Sequence, residues 1–222
     1  MGILNPALAD KWPRYSFDPG PPEALHAVAV ISACFNSFER ILFDIYIHHL
    51  DRKKYDRFIS EQYFLAIDER RKLDLIKQTF KRLEKKPRVS ALVFNLVEYF
   101  EWCSKVRNSV LHGEIYPALF ARANLNLMKR PSKRSYGVLY LSLDLPELRN
   151  LADRVEAGRM QAAKISAHLR FRDTKPRHRT RLQLRHGREP LPKLLRVPKP
   201  LTPSVLPHFG PRSQYQPTTL GL

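Results

Sequence analysis

Arg107, Asn108 and His112 lie within six residues at the end of an apolar-periodic segment and bring together a guanidinium, an amide and an imidazole. Such a trio can perform acid–base chemistry on a phosphodiester without a metal. Arg107 can bind the non-bridging oxygens and stabilise the charge that builds on a pentacoordinate phosphorus, while His112 can take a proton from a 2′-hydroxyl or give one to the leaving 5′-oxygen. Five residues of helix correspond to about 7.5 Å of rise and roughly 140° of rotation, so Arg107 and His112 do not stack, yet both reach a phosphate lying across the helix. Asn108 and His112 are four apart and share a face, which lets Asn108 orient the imidazole or hold the ribose. The same residues also have a purely structural account: a histidine in a last helical turn caps it, and an arginine forms half of an ion pair.

Glu39 is the candidate supporting residue. It falls among Phe35, Leu42 and Phe43, where an unpaired carboxylate is expensive. Pairing with Arg107 or His112 would offset that cost and orient the site, and a pairing elsewhere would offset it equally. His48 and His49 beside Asp51 do not make a metal site, because adjacent helical side chains diverge by about 100° and no cysteine or carboxylate set completes the shell. No metal or cofactor is expected. Trp12, Trp102, Tyr136 and Tyr140 are aromatic candidates for base stacking, with core or hairpin packing the better reading of each.

The elements that must position the trio follow from periodicity and punctuation. After an irregular arm over residues 1–21, Pro21-Pro22-Glu23 suits a helical first turn, and apolar spacing carries that helix to about Leu50. Residues 51–67 read as a short helix or a packed loop. A helix from Asp68 to Leu83 or Glu84 is followed by a break at Lys85-Lys86-Pro87-Arg88 and a third long helix from about Val89 to His112. Alternating residues over 121–128 and 137–143 predict a two-stranded hairpin. Asp144, Pro146 and Glu147 have capping-box spacing and start a last helix that runs to about Leu169, with Gly158 a weak point within it.

Charge points to the partner. The chain of 222 residues carries 39 Lys and Arg against 21 Asp and Glu, for a net +18. Half of that excess lies in residues 172–222, where 11 basic residues meet two acidic ones and nine of the 18 prolines gather. Nucleic acid is the natural partner for such a field, with an anionic membrane surface or an acidic protein in competition. The tail from 171 to 222 is expected to be an extended or disordered arm, and Lys175, Arg177, Arg179 and Arg181 are its candidate RNA-binding residues. Cys34 and Cys103 sit in apolar helical stretches and read as reduced thiols, a bridge between them remaining open. The most apolar run is interrupted by Glu39, Arg40 and Asp44, so no membrane span is expected and a cytoplasmic protein is.

The stretch Arg107-Asn108-Ser109-Val110-Leu111-His112 resembles the signature of the HEPN superfamily, an arginine usually followed by a polar residue and a histidine after four to six intervening residues. That resemblance implies a mainly α fold, an HEPN-like helical bundle over residues 22–170, to which the hairpin at 121–143 would be an elaboration; the basic tail lies outside it. It implies homodimerisation that brings two motifs together, with Arg107, Asn108 and His112 catalytic in metal-independent RNA cleavage. The implied products carry a 2′,3′-cyclic phosphate and a 5′-hydroxyl. The implied settings are toxin, defence or RNA-processing systems, with a neutralising or regulatory protein partner. Some members bind nucleotides or proteins without cleaving, so a noncatalytic module that binds nucleic acid or protein is the alternative.

Overall fold

A computed structural model of the chain describes residues 22–51, 56–112, 114–115, 125–129, 138–173, 191–201 and 204–206, and among these described residues five helices carry the fold. In chain order they are α1 (Pro22–Asp51), α2 (Arg57–Ala66), α3 (Glu69–Leu83), α4 (Pro87–Leu111) and α5 (Leu145–Asp173). Strands β1 (Glu114–Ile115), β2 (Leu125–Lys129) and β3 (Val138–Leu143) lie between α4 and α5, and β4 (Ser204–Leu206) follows α5. The arm expected over residues 1–21, with Trp12, lies outside the described residues, as do Tyr136 and residues 174–190.

Local chemistry accounts for the boundaries. Asp56 and Asp68 cap α2 and α3 by accepting hydrogen bonds from the backbone amides of Ile59 at 3.1 Å and Arg71 at 2.9 Å. The segment left open between short helix and loop is therefore largely α2. Helix α4 begins at Pro87 rather than Val89, because proline needs no amide partner at the first helical position. At α5 the capping box closes in both directions: the Asp144 amide donates to Glu147 Oε2 at 2.9 Å, and the Glu147 amide donates to Asp144 Oδ1 at 2.7 Å.

Side-chain pairs fix the directions of the bundle. Cys34 meets Glu156 and Asp44 meets Arg170, so α1 and α5 run parallel along a long shared contact. Glu39 meets Lys72 and His49 meets Glu84, so α3 runs with them, and the short Glu84–Lys86 corner turns α4 back against all three. The core between them is aromatic: Phe35 stacks on Phe100 with centroids 4.8 Å apart, and Phe38 meets the same ring edge-on at 5.0 Å. Gly158 is where α5 comes closest, since a Cβ there would lie 2.8 Å from Phe38 Cε1 and from Tyr99 Cδ1. The residue that looks weak by helix propensity is required by packing.

The described strands form one antiparallel sheet in the order β1-β2-β3-β4. Leu125 pairs with Leu143 and Lys129 with Leu139, while Val138 pairs with Leu206 across the β3–β4 contact.

The tail departs from expectation. Helix α5 continues to Asp173, and residues 191–201 form an extended strap packed on the helices rather than a free arm. Asn95 reads the strap backbone with both ends of its amide: Nδ2 donates to Leu195 O at 3.0 Å, and Oδ1 accepts from the Leu195 amide at 2.8 Å. The Trp102 indole donates to Lys199 O at 3.1 Å, and the Gln161 amide donates to Lys193 O. Leu191, Leu195 and Leu201 pack on the core. Pro192, Leu195, Pro198 and Leu201 are all half-buried, a period of three that matches polyproline II geometry. Composition hides this because it averages the proline and charge of the whole tail. Three spaced leucines and three helix side chains supply the burial and hydrogen bonds that an isolated arm would lack.

Candidate active site

The trio sits at the C-terminal end of α4, which the buried side chains of Val106 and Val110 hold against the bundle. Arg107 reaches toward α1. Its guanidinium carbon lies 5.3 Å from the centroid of the Phe35 ring, and Nη1 donates to Asn108 Oδ1 at 2.8 Å. Asn108 Nδ2 in turn approaches Ser104 Oγ at 3.5 Å, one helical turn back. Arg107 Nε is buried without a hydrogen-bond partner, and no carboxylate among the described residues pairs with the guanidinium. An aromatic face attracts a cation, by about 0.5–2 kcal/mol depending on desolvation, without neutralising it. Arg107 is thus oriented yet keeps its full charge for an anion.

His112 ends the helix. Its backbone leaves helical geometry at φ −105° and ψ 6°, and its amide still donates to Asn108 O at 3.2 Å. The side chain is exposed and has no partner among the described residues. The cap is therefore made by the His112 backbone, leaving the imidazole accessible to a ligand.

Glu39 does not join this group. Its Oε1 accepts from Lys72 Nζ on α3 at 2.8 Å, so the carboxylate pairs neither with Arg107 nor with His112. The reason is rotational. Phe35 is the α1 residue beneath Arg107, and Glu39, one turn further along, meets α3. Lys175, Arg177, Arg179 and Arg181 lie outside the described residues. Trp102 is buried, with its indole bound to the strap, so it packs rather than stacks on bases.

A second polar cluster was not foreseen. His49, 4% exposed, presents Nε2 3.3 Å from Glu84 Oε2 and meets the Phe80 ring edge-on with centroids 4.6 Å apart. Arg172 Nη1 donates to the same Glu84 oxygen at 3.0 Å, and the Lys86 amide donates to Oε1 at 2.9 Å. Burial pushes the Glu84 carboxyl up, but the Lys86 amide, the Arg172 hydrogen bond and charge, and His49 together hold it below the usual carboxylate range. This cluster ties the C-terminal ends of α1, α3 and α5 together. Its sequence signal is faint: a histidine in an apolar helical row, and a lone glutamate among lysines.

Both cysteines are free thiols, which settles the open question of a bridge. Burial, helped by the hydrogen bond to Glu156 at 3.1 Å, raises Cys34 to about 11. Burial likewise raises Cys103. Neither is an activated nucleophile. Among the described residues no cluster of three histidine, cysteine or acidic side chains could hold a metal ion, and no helix is long and apolar enough to cross a membrane.

No protein-family model, curated protein or solved structure matches this chain.

Proposed function

We propose that this chain is a metal-independent endoribonuclease of the HEPN type, acting on RNA as a homodimer. The observation that carries the reading is the end of α4, where an oriented guanidinium free of any described carboxylate lies five residues before a solvent-exposed imidazole. In the proposed reaction a histidine takes the proton of a ribose 2′-hydroxyl, and that oxygen attacks the adjacent phosphorus. The bond from phosphorus to the 5′-oxygen breaks, and an acid protonates the leaving oxygen. The products are a 2′,3′-cyclic phosphate and a 5′-hydroxyl. One His112 cannot be base and acid in the same step, so two copies, one from each protomer, divide the roles. Arg107 stabilises the equatorial oxygens, and Asn108 holds Arg107 in place. An exposed apolar group on α2, Phe58, Ile59, Tyr63 and Leu65, is a surface of the kind a second copy would cover. A toxin, defence or RNA-processing role with a regulatory protein partner belongs to the same proposal.

The deciding experiment is cleavage of labelled RNA in EDTA by wild type and His112→Ala, with the product ends resolved. Cyclic phosphate and 5′-hydroxyl ends, lost in the variant, support the assignment, whereas equal cleavage by both proteins refutes it. One observation favours the alternative of a noncatalytic HEPN-like module: Arg107 is already engaged by Asn108 and Phe35. RNA binding that survives His112→Ala, with no cleavage by the wild type, would establish that reading instead.

A further inference from the structure

The short corner between α3 and α4 concentrates charge in a way the local structure does not reward. Lys81, Arg82, Lys85, Lys86 and Arg88 are all exposed, and none pairs with a carboxylate among the described residues. Glu84, the one acid within residues 81–88, has a side chain only 3% exposed and is held inward by Arg172. Lys81 and Arg82 complement the negative end of α3. The other three do the opposite. Helix α4 has no acid in its first turn and no side-chain cap, and Lys85, Lys86 and Arg88 stand at its positive end. A cation there costs about 0.3–1 kcal/mol by repulsion from the helix dipole. A local choice that opposes stability without visible compensation marks a place shaped by a ligand, and amide dipoles together with cations select an anion.

Two further observations specify the anion. Between residues 81 and 88 the large apolar side chain is Leu83, which is half-buried, so the corner offers nothing to insert into lipid. Helix α5 also ends here: Arg172 is bound to Glu84, and the chain leaves α5 at Asp173 immediately before Lys175, Arg177, Arg179 and Arg181. We infer that the α3–α4 corner, built on Lys81, Arg82, Lys85, Lys86 and Arg88, docks the phosphate backbone of RNA at the end of the bundle opposite the Arg107–His112 motif. The choice of RNA over another polyanion rests on the proposed function. Twenty residues of α4 separate Pro87 from Arg107, which corresponds to about 30 Å. A stacked strand at 3.4 Å per nucleotide bridges that distance with about nine nucleotides.

The test compares wild type with Lys85→Gln/Lys86→Gln/Arg88→Gln, reading binding of a 20-nucleotide 2′-O-methyl RNA by fluorescence anisotropy across a salt series. The methyl group blocks cleavage, so binding is read separately from chemistry. Removing three phosphate contacts should lower the slope of log K against log salt by about 2 and weaken binding at physiological salt by about tenfold or more. The variant should melt no lower than wild type, because the substitutions remove repulsion from the α4 dipole. A six-nucleotide RNA should bind wild type and variant alike if it is held at the motif end. An unchanged slope and affinity for the 20-mer overturn the docking surface. Binding of wild type to vesicles containing phosphatidylserine, lost in the variant, with no binding to RNA, overturns it in favour of lipid. Cleavage of unmodified RNA by wild type, measured in parallel, separates the two proposals: cleavage with an unchanged slope removes the corner and leaves the ribonuclease standing, whereas a changed slope without cleavage does the reverse.

Discussion

Gly158→Ala tests the packing of the bundle at its tightest point. The added methyl would sit 2.8 Å from Phe38 Cε1 and from Tyr99 Cδ1 and Cε1. Carbon atoms prefer a separation of about 3.5–4.0 Å, so the overlap with two rings is roughly 0.7 Å or more. Neither ring can easily give way. Phe38 is fully buried with its edge set against Phe100, and Tyr99 is tethered by its hydroxyl, which donates to Arg154 O at 2.9 Å. Overpacking of this kind costs about 1–3 kcal/mol. Replacing a mid-helix glycine by alanine returns about 1 kcal/mol of helix propensity. The net expectation is a loss of up to about 2 kcal/mol, read as a lower urea midpoint with an unchanged m-value and a fall in Tm of up to about 8 °C. Pairing the substitution with Tyr99→Leu, which removes one of the rings, should recover part of the loss as a coupling energy. If Gly158→Ala instead raised the midpoint, as at an open helical position, the close approach of α5 to α1 and α4 would be refuted.

Three other outcomes follow from the same contacts. Asn95→Ala removes both hydrogen bonds to Leu195, each worth about 0.5–1.5 kcal/mol, so exchange of the Leu195 amide should accelerate by about tenfold or more and the strap should become protease-sensitive; unchanged exchange would contradict the docking. The Glu84 carboxyl is depressed in the folded chain, so its contribution to stability is fully present above the ordinary value of 4.5 and is lost as pH falls through the lower folded value. Glu84→Gln should therefore be less stable than wild type at neutral pH and show a shallower acid limb in a pH series of melts, and parallel acid limbs would remove Glu84 from the account. With Cys34 raised to about 11, chiefly by burial, its alkylation by iodoacetamide at pH 8 should run on the order of a hundredfold slower than that of an unperturbed thiol, and a rate near the free-thiol value would show that Cys34 is not held buried against Glu156 in solution.

The charge asymmetry between the two ends of α4 has a consequence for substrate length. If both proposals hold, short RNAs engage one end and RNAs longer than about nine nucleotides engage both, so apparent affinity should step up across that length rather than rise smoothly. Such a step would be absent from a protein that holds RNA at the motif end only.

Much of the scaffold was legible in the residues because its causes are local. Asp68 and the Asp144–Glu147 box mark helix starts because their side chains satisfy amides three residues away, within one turn. The spacing of Leu92, Val93, Leu96, Val97 and Phe100 marks the buried face of α4 because a helix has a fixed period. The adjacency of Arg107 and Asn108, and the place of His112 at the helix end, needed no knowledge of the rest of the chain. Three things were decided by contacts between residues distant in sequence. Glu39 was visible as a carboxylate needing a partner, but the rotation of α1 against α3 and α4 assigned it to Lys72 and assigned Phe35 to Arg107. Gly158 carries the low propensity that one turn of helix reveals, and the rings of Phe38 and Tyr99 that make it necessary come from two other helices. The strap at residues 191–201 reads as a proline-rich solvated arm by composition, and it becomes structure through Asn95, Trp102 and Gln161, which lie 32 to 100 residues away and satisfy its backbone. Sequence determines what can form within a turn or two, because those partners are fixed by chain geometry; which polar group meets which across the bundle depends on how the helices rotate and pack, and only the tertiary structure decides that.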